Sequence, residues 1–253
     1  MGMQYKWGLT LSGGGAKGFF EAGVMKRLFE MGFQPEIISG TSVGSLVGAL
    51  IADGRTPDDM LEVFGNLSVA EFIEPKLPKE YLVDSKPVRK LMEKLLRAKT
   101  FEELQIPLRV VATCLETGEG VVFDKGPLLD ALIASCSIPI VFPPVVINGQ
   151  HYVDGGTVKN LPSSVIRNDC ERLLAISVHP SSKGKYEKKM RYIATHCLEY
   201  LFNANTVPDK ALADILIEDP IMKSYSAYDL KDSHEMFRLG YLSSYIPKTI
   251  PIQ

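Results

Sequence analysis

The chain has 253 residues, 45% of them hydrophobic and 23% charged, with a formal net charge of −2. That is the balance of an ordinary soluble globular protein, and a length that suits one large α/β domain or two small ones. No basic run is longer than a pair such as Lys188-Lys189, which excludes a nucleic-acid-binding segment.

The four cysteines, Cys114, Cys136, Cys170 and Cys197, are scattered, without C-x-x-C spacing or clustering with histidine. No metal site is expected, and buried free thiols fit a reducing compartment. The start of the chain lacks a charged segment followed by a long apolar core. The longest apolar run, Ile138 to Ile147, is about half a membrane span and carries three prolines. A soluble, cytoplasmic protein is expected.

Lys6 to Leu11 reads as the first strand. It runs into Ser12-Gly13-Gly14-Gly15-Ala16-Lys17-Gly18, and a helix follows from about Phe19 to Met31, with Phe20, Val24, Leu28 and Met31 at helical spacing. Successive glycines let backbone N–H groups converge on an anion near the positive end of a helix. One functional reading is phosphate binding, since Gly13, Gly15 and Gly18 form G-x-G-x-x-G. A dinucleotide site also wants an acid at the end of the second strand, whereas Glu36 stands at its start. A P-loop wants a Lys-Ser/Thr pair after the last glycine, and here the lysine precedes it. The other reading is an oxyanion hole. A plain connection is the third, although three consecutive glycines are entropically costly in that role.

Glu36 to Gly48 joins a short apolar strand, Ile37-Ile38, to a helix beginning near Ser45 through Gly40-Thr41-Ser42-Val43-Gly44. Strand, sharp turn and helix form the context in which G-x-S-x-G presents a nucleophile. The flanking glycines let neighbouring chain pass close, and the helix N-terminus favours developing negative charge. A tight glycine turn is the plain alternative. Both glycine-rich turns fall at the C-terminal ends of strands, where open α/β sheets place their sites.

Thr56 to Asn66 reads as a helix capped by Thr56, with Pro57 at its first position and Asp58 and Asp59 in the first turn. Val69 to Pro87 reads as loop, and Pro87 to Lys99 as an amphipathic helix with Val88, Leu91, Leu95 and Leu96 inward. Outer-layer packing is the expectation for both helices, with a cap or side wall near the site as the alternative. Leu108 to Leu115 is a strand, Val121 to Phe123 its hairpin partner and Leu128 to Ser135 a helix. Ser135 to Pro144 is an apolar loop too rich in proline for a helix or central strand, suited to lining an acyl pocket or covering the sheet edge. A hairpin from Val145 to Val153 turns at Asn148-Gly149 and delivers Asp154-Gly155-Gly156. Taken alone, Asp154 is an Asx-turn residue. Leu173 to Val178 is a buried parallel strand, Lys185 to Asn203 a long amphipathic helix, Leu212 to Ile217 an edge strand and Lys231 to Ile246 a final helix capped by Asp232 or Ser233. Neither an internal repeat nor a polar linker divides the sequence, so one domain over residues 1–253 is expected.

In that order, Gly13 to Gly18, Gly40 to Gly44, Ser137 to Pro144 and Asp154-Gly155-Gly156 resemble the marks of the patatin-like phospholipase family: a G-G-G-x-R/K-G loop, a G-x-S-x-G elbow, an apolar proline-containing stretch and a D-G-G/A triplet. The resemblance covers Trp7 to Val178. Lys17 stands where many members carry arginine; it keeps the cation but loses the planar fork. The resemblance implies a three-layer α/β fold, a mainly parallel central sheet with helices on both faces, related to the α/β hydrolases. It implies a Ser-Asp dyad with Ser42 as nucleophile and Asp154 as general base. The oxyanion hole would use the N–H groups of Gly13, Gly14 and Gly15, with Lys17, Gly18, Gly40, Gly44, Gly155 and Gly156 as supporting positions. Members hydrolyse acyl esters of lipids and need no metal or cofactor.

The chemistry is coherent from below. A serine hydroxyl needs a base within hydrogen-bond reach. A free aspartate is a weak one, and burial raises its pKa toward the operating pH. Of the four histidines, His151, His179, His196 and His234, only His179 follows a strand where an α/β hydrolase presents its base. The dyad is preferred to a triad through His179. Two other classes stay open: a nucleotide-binding α/β protein using the Gly13–Gly18 loop, and a non-catalytic lipid-binding relative. A lipid substrate also implies transient contact with a membrane surface, through Pro139 to Val145 and the helices between Thr56 and Lys99. The sequence carries no mark of oligomeric state.

Overall fold

The computed structural model describes residues 3–65, 84–180, 186, 188 and 190–250. Its strands are β1 (Tyr5–Leu11), β2 (Ile37–Thr41), β3 (Leu108–Cys114), β4 (Gly120–Phe123), β5 (Val145–Ile147), β6 (Gln150–Asp154), β7 (Cys170–Ile176) and β8 (Ile215–Ile217). Its helices are α1 (Gly18–Glu30), α2 (Val43–Ala52), α3 (Pro57–Phe64), α4 (Lys86–Leu95), α5 (Leu128–Ser135), α6 (Ser163–Ile166), α7 (Met190–Lys210) and α8 (Ser233–Leu242). Most of the loop expected from Val69 to Pro87, and the start of the helix expected at Lys185, lie outside the described residues.

The sheet runs β5-β6-β3-β2-β1-β7-β8, with β4 also paired to β3. From β3 to β8 every pairing is parallel, whereas β4, β5 and β6 add an antiparallel margin. The parallel strands read as apolar runs because helices cover both of their faces. On one face Leu9, Leu11, Ile38, Leu174 and Ile176 pack with α1, α2 and α8 in the main core. On the other, Ile37 and Leu173 pack with Ile166 of α6. That second face also carries hydroxyls: Thr10 and Ser39 bond each other at 2.9 Å, and Ser39 donates to the Pro162 carbonyl at 3.0 Å. The result is the expected three-layer, mainly parallel α/β sheet.

The register around β3 brings distant sequence together. Parallel β2 pairs with Leu108 to Val111 and leaves the sheet at Thr41. Antiparallel β6 pairs with Ala112 to Cys114, starting from Asp154 opposite Ala112. Because β4 pairs with Val110 to Thr113 and overlaps both, it takes one edge of β3, and β2 and β6 share the other end to end. The last residue of β6 therefore arrives where β2 turns away at Ser42.

Three helices depart from their expected bounds for tertiary reasons. The helix α4 stops at Leu95 because the Arg55 guanidinium takes the Leu95 carbonyl and the Asp53 carboxylate accepts the N–H groups of Arg97 and Ala98. The helix α7 continues past Asn203 to Lys210, with Pro208 inside its last turns. There Phe202 and Thr206 are buried, and Asp209 accepts from Lys159 and the Ser164 N–H. The helix α8 begins after Asp232, whose side chain makes no capping bond; the Ser233 hydroxyl reaches the Gly65 carbonyl instead.

Candidate active site

Ser42 sits between β2 and α2 with φ 53° and ψ −128°. A positive φ is unusual for a residue with a side chain and signals local backbone strain. Several bonds hold it there. Its N–H donates to the Ser135 hydroxyl at 2.8 Å, which in turn donates to the Val111 carbonyl at 2.6 Å. Its carbonyl accepts from the N–H and hydroxyl of Ser45 at 2.9 and 2.6 Å. The glycines on either side are there for space. A β-carbon at Gly44 would stand 2.5 Å from the carbonyl oxygens of Leu11 and Ser12, and one at Gly40 would stand 2.6 Å from the Gly44 carbonyl. The elbow is thus pressed against the end of β1, and its serine stands at the head of the ten-residue helix α2.

Asp154 is 2% exposed. Its Oδ1 accepts the Gly156 N–H at 2.7 Å, and Ser42 stands beside it. Burial pushes its carboxyl from 3.8 up to about 7, against the smaller opposing pull of Ser42 and the Gly156 N–H. Gly155 allows the turn to lie against β3, since a β-carbon there would meet the Val111 carbonyl.

The glycine loop faces the same point. A β-carbon at Gly13 would lie 3.1 Å from that of Ser42, and one at Gly18 would collide with Val43. Gly15 has φ +56°. One expected donor is otherwise engaged, because the Gly13 N–H donates to the Asn160 carbonyl at 2.9 Å. The N–H groups of Gly14 and Gly15 have no acceptor among the described residues. Lys17 is partly buried behind the loop; burial lowers its pKa and Glu199 partly offsets that.

His179 is buried beside the loop, with Nε2 3.5 Å from the β-carbon position of Gly14. Burial, then Lys17 and Lys210, push it down to about 3, with a smaller opposing pull from the Gly13 backbone. It is neutral and part of the loop's support, not a partner of Ser42. Glu36 lies at the opposite end of β2, where it accepts the Lys6 N–H at 2.9 Å, so it cannot serve a ligand in the glycine loop.

Beside Ser42 opens a cavity of about 280 Å³. Four residues on one face of α2, Val43, Leu46, Val47 and Leu50, line it from the serine downward. Met60 and Phe64 of α3 and Val88 of α4 also line it, so these helices form a side wall of the cavity, the alternative to plain outer packing. Ile138, Val141 and Phe142 of the proline-rich loop line its mouth. No charged side chain lines it among the described residues. Cys136 is partly covered with a surface on this cavity; burial, then Asp154, push its thiol up, against smaller opposing contributions from Ser45 and Ser42.

Several supporting residues escaped the sequence reading. Ser135 was placed only as a helix end. Asn160 ties the glycine loop to Asn205, whose Oδ1 accepts the Asn160 N–H at 2.8 Å and whose Nδ2 donates to the Gly156 carbonyl at 2.7 Å. Glu21 lies fully buried under the loop, where burial raises its pKa well above a free glutamate's and the Ser12 hydroxyl donates to it at 3.4 Å. An acid in the otherwise apolar stretch Phe19 to Val24 was the one legible signal.

Comparison with known proteins shows the family of the chain. The model of the family described as patatin-like phospholipase matches residues 9–165. An uncharacterised NTE family protein of Mycobacterium tuberculosis is 30% identical over 179 residues, covering 70% of this chain and 50% of the relative. The human patatin-like phospholipase domain-containing protein 6 is 30% identical over 179 residues, covering 67% of this chain and 13% of the relative. The chain thus spans about half the length of the mycobacterial relative and a small part of the human one. Among solved structures, VipD from Legionella pneumophila is similar with a TM-score of 0.48 at 13% identity, over 92% of this chain and 67% of that one.

Proposed function

Because the chain belongs to the patatin-like phospholipase family, we propose that it is a serine hydrolase of lipid acyl esters, phospholipid and lysophospholipid among them, with Ser42 as nucleophile and Asp154 as general base. What supports this reading most is a buried carboxyl, held near neutrality, beside Ser42 at the edge of an apolar cavity. A carboxylate with a pKa near 7 is matched to a reaction run near neutral pH.

In the proposed reaction the ester carbonyl carbon lies over Ser42 Oγ with its acyl chain in the cavity. Oγ attacks as its proton passes to Asp154. The oxyanion is received by the N–H groups of Gly14 and Gly15, aided by the positive end of α2. Collapse breaks the bond to the alcohol, which takes the proton from Asp154 and leaves. Water then attacks the acyl-enzyme, gives a proton to Asp154 and releases the fatty acid, and the proton returns to Ser42. No metal or cofactor enters these steps. A cytoplasmic setting is proposed with this activity, and the four free thiols are compatible with it.

The test is turnover of p-nitrophenyl esters and of lysophosphatidylcholine by wild type, Ser42→Ala and Asp154→Asn. The proposal expects turnover by wild type and at least a thousand-fold loss in Ser42→Ala, of the order seen when nucleophiles are removed. Undiminished turnover in folded Ser42→Ala would overturn it.

A further inference from the structure

The cavity has a direction and a closed end. Its inner lining, Ala22, Val47, Leu50 and Met60, is buried at 5% exposure or less. Its outer lining, Ile138 and Phe142, is partly exposed, and the neighbouring Ile140 is 64% exposed. Ser42 lies at the upper end and Leu50 at the lower, on the same helix. An acyl chain bonded to Ser42 therefore runs down the α2 face from Val43 to Leu50 until it meets Leu50, Ala22 and Met60.

The helix gives its length. From Ser42 to Leu50 the helix rises about 12 Å at 1.5 Å per residue. An extended polypeptide advances about 3.5 Å per residue over three bonds, or about 1.2 Å per bond, so that rise takes about ten bonds. That points to roughly ten carbons.

We propose that this cavity gauges acyl-chain length, and that the preferred substrates are esters of medium-chain acids, with the gauge set by Leu50, Ala22 and Met60. This rests on the hydrolase reading above. A longer chain must leave its end outside the closed pocket or bend, and a shorter one leaves apolar wall unfilled. The gauge acts on the acyl side, since the described residues that line the cavity carry no charge with which to select a head group.

The test is kcat/KM for p-nitrophenyl butyrate, octanoate, decanoate, laurate and palmitate in mixed micelles of one detergent, for wild type, Met60→Ala and Leu50→Phe. Fluorophosphonate labelling of Ser42 and thermal melting establish that each variant is folded with a live nucleophile. Wild type is expected to peak at octanoate or decanoate, about ten-fold above both butyrate and palmitate. Met60→Ala opens the inner end and moves the peak to laurate or beyond. Leu50→Phe shortens the slot and moves the peak toward butyrate. A wild-type optimum at palmitate, or an optimum shared by wild type and both folded variants, would overturn the gauge while leaving the hydrolase intact. Absence of turnover on every ester together with absence of Ser42 labelling would remove the hydrolase reading and the gauge with it.

Discussion

Replacing Asp154 by asparagine should stabilise the protein while abolishing its turnover. The carboxyl is fully buried, and burial carries its pKa from 3.8 to about 7. At 1.36 kcal/mol for each pKa unit, its ionised form is disfavoured in the fold by about 4 kcal/mol. A raised carboxyl pKa means that the folded state binds more protons than the unfolded chain between pH 3.8 and about 7. Stability therefore falls as pH rises through that window, the full penalty applies above about 7, and none applies below 3.8. Asparagine keeps an oxygen for the Gly156 N–H and removes the charge. Above pH 7 the variant should melt about ten degrees higher, at roughly 2–4 °C per kcal/mol for a chain of this size. The assay is scanning calorimetry of both proteins from pH 4.5 to 8.5, with the difference shrinking toward the acid end. Equal melting temperatures at alkaline pH, or a difference that does not change with pH, would refute the reasoning. Such a result would mean that Asp154 is not held ionised against its surroundings.

Three further outcomes follow from the same geometry. Ser135→Ala leaves the Ser42 N–H and the Val111 carbonyl without their shared partner; it should cost about 1–3 kcal/mol in a denaturant titration and slow the reaction of Ser42. His179→Ala should lower ester turnover less than about ten-fold, because a neutral histidine with its pKa pushed down to about 3 is no base at neutral pH; complete loss in a folded variant would restore a triad. Ile140 is 64% exposed, with φ 73°, beside the cavity mouth. Ile140→Asp should weaken sedimentation with phosphatidylcholine vesicles and hydrolysis of lipid presented in them by several-fold, whereas soluble butyrate ester shows the smaller change.

The parts of the site legible in the sequence are those where local backbone geometry restricts residue type. Gly40, Gly44 and Gly18 stand where any β-carbon would strike a neighbouring backbone or Val43, so the elbow and loop announce themselves. The strand–turn–helix order and the hairpin at Asn148-Gly149 were likewise readable from periodicity and turn chemistry. What brings Asp154 beside Ser42 was not: it depends on β2 and β6 sharing one edge of β3, a pairing between segments more than a hundred residues apart. The engagement of the Gly13 N–H by Asn160, and the Asn205 bridge behind it, are also products of packing. So is the place of α3 and α4, whose apolar stripes read like any outer helix until Met60, Phe64 and Val88 are seen to line the cavity. The extension of α7 through Pro208 shows contacts at Asp209 overriding a residue that ordinarily ends a helix.

The most direct test of the central claim is the rate at which a fluorophosphonate probe labels the protein on either side of pH 7, with the labelled peptide identified by mass spectrometry. Wild type, Ser42→Ala and Asp154→Asn would be compared. The dyad predicts label on Ser42 alone, at a rate that climbs with pH and levels above about 7 as Asp154 loses its proton. It predicts slow labelling without that climb in Asp154→Asn. Label on another residue, or an Asp154→Asn rate that matches wild type at every pH, would contradict it.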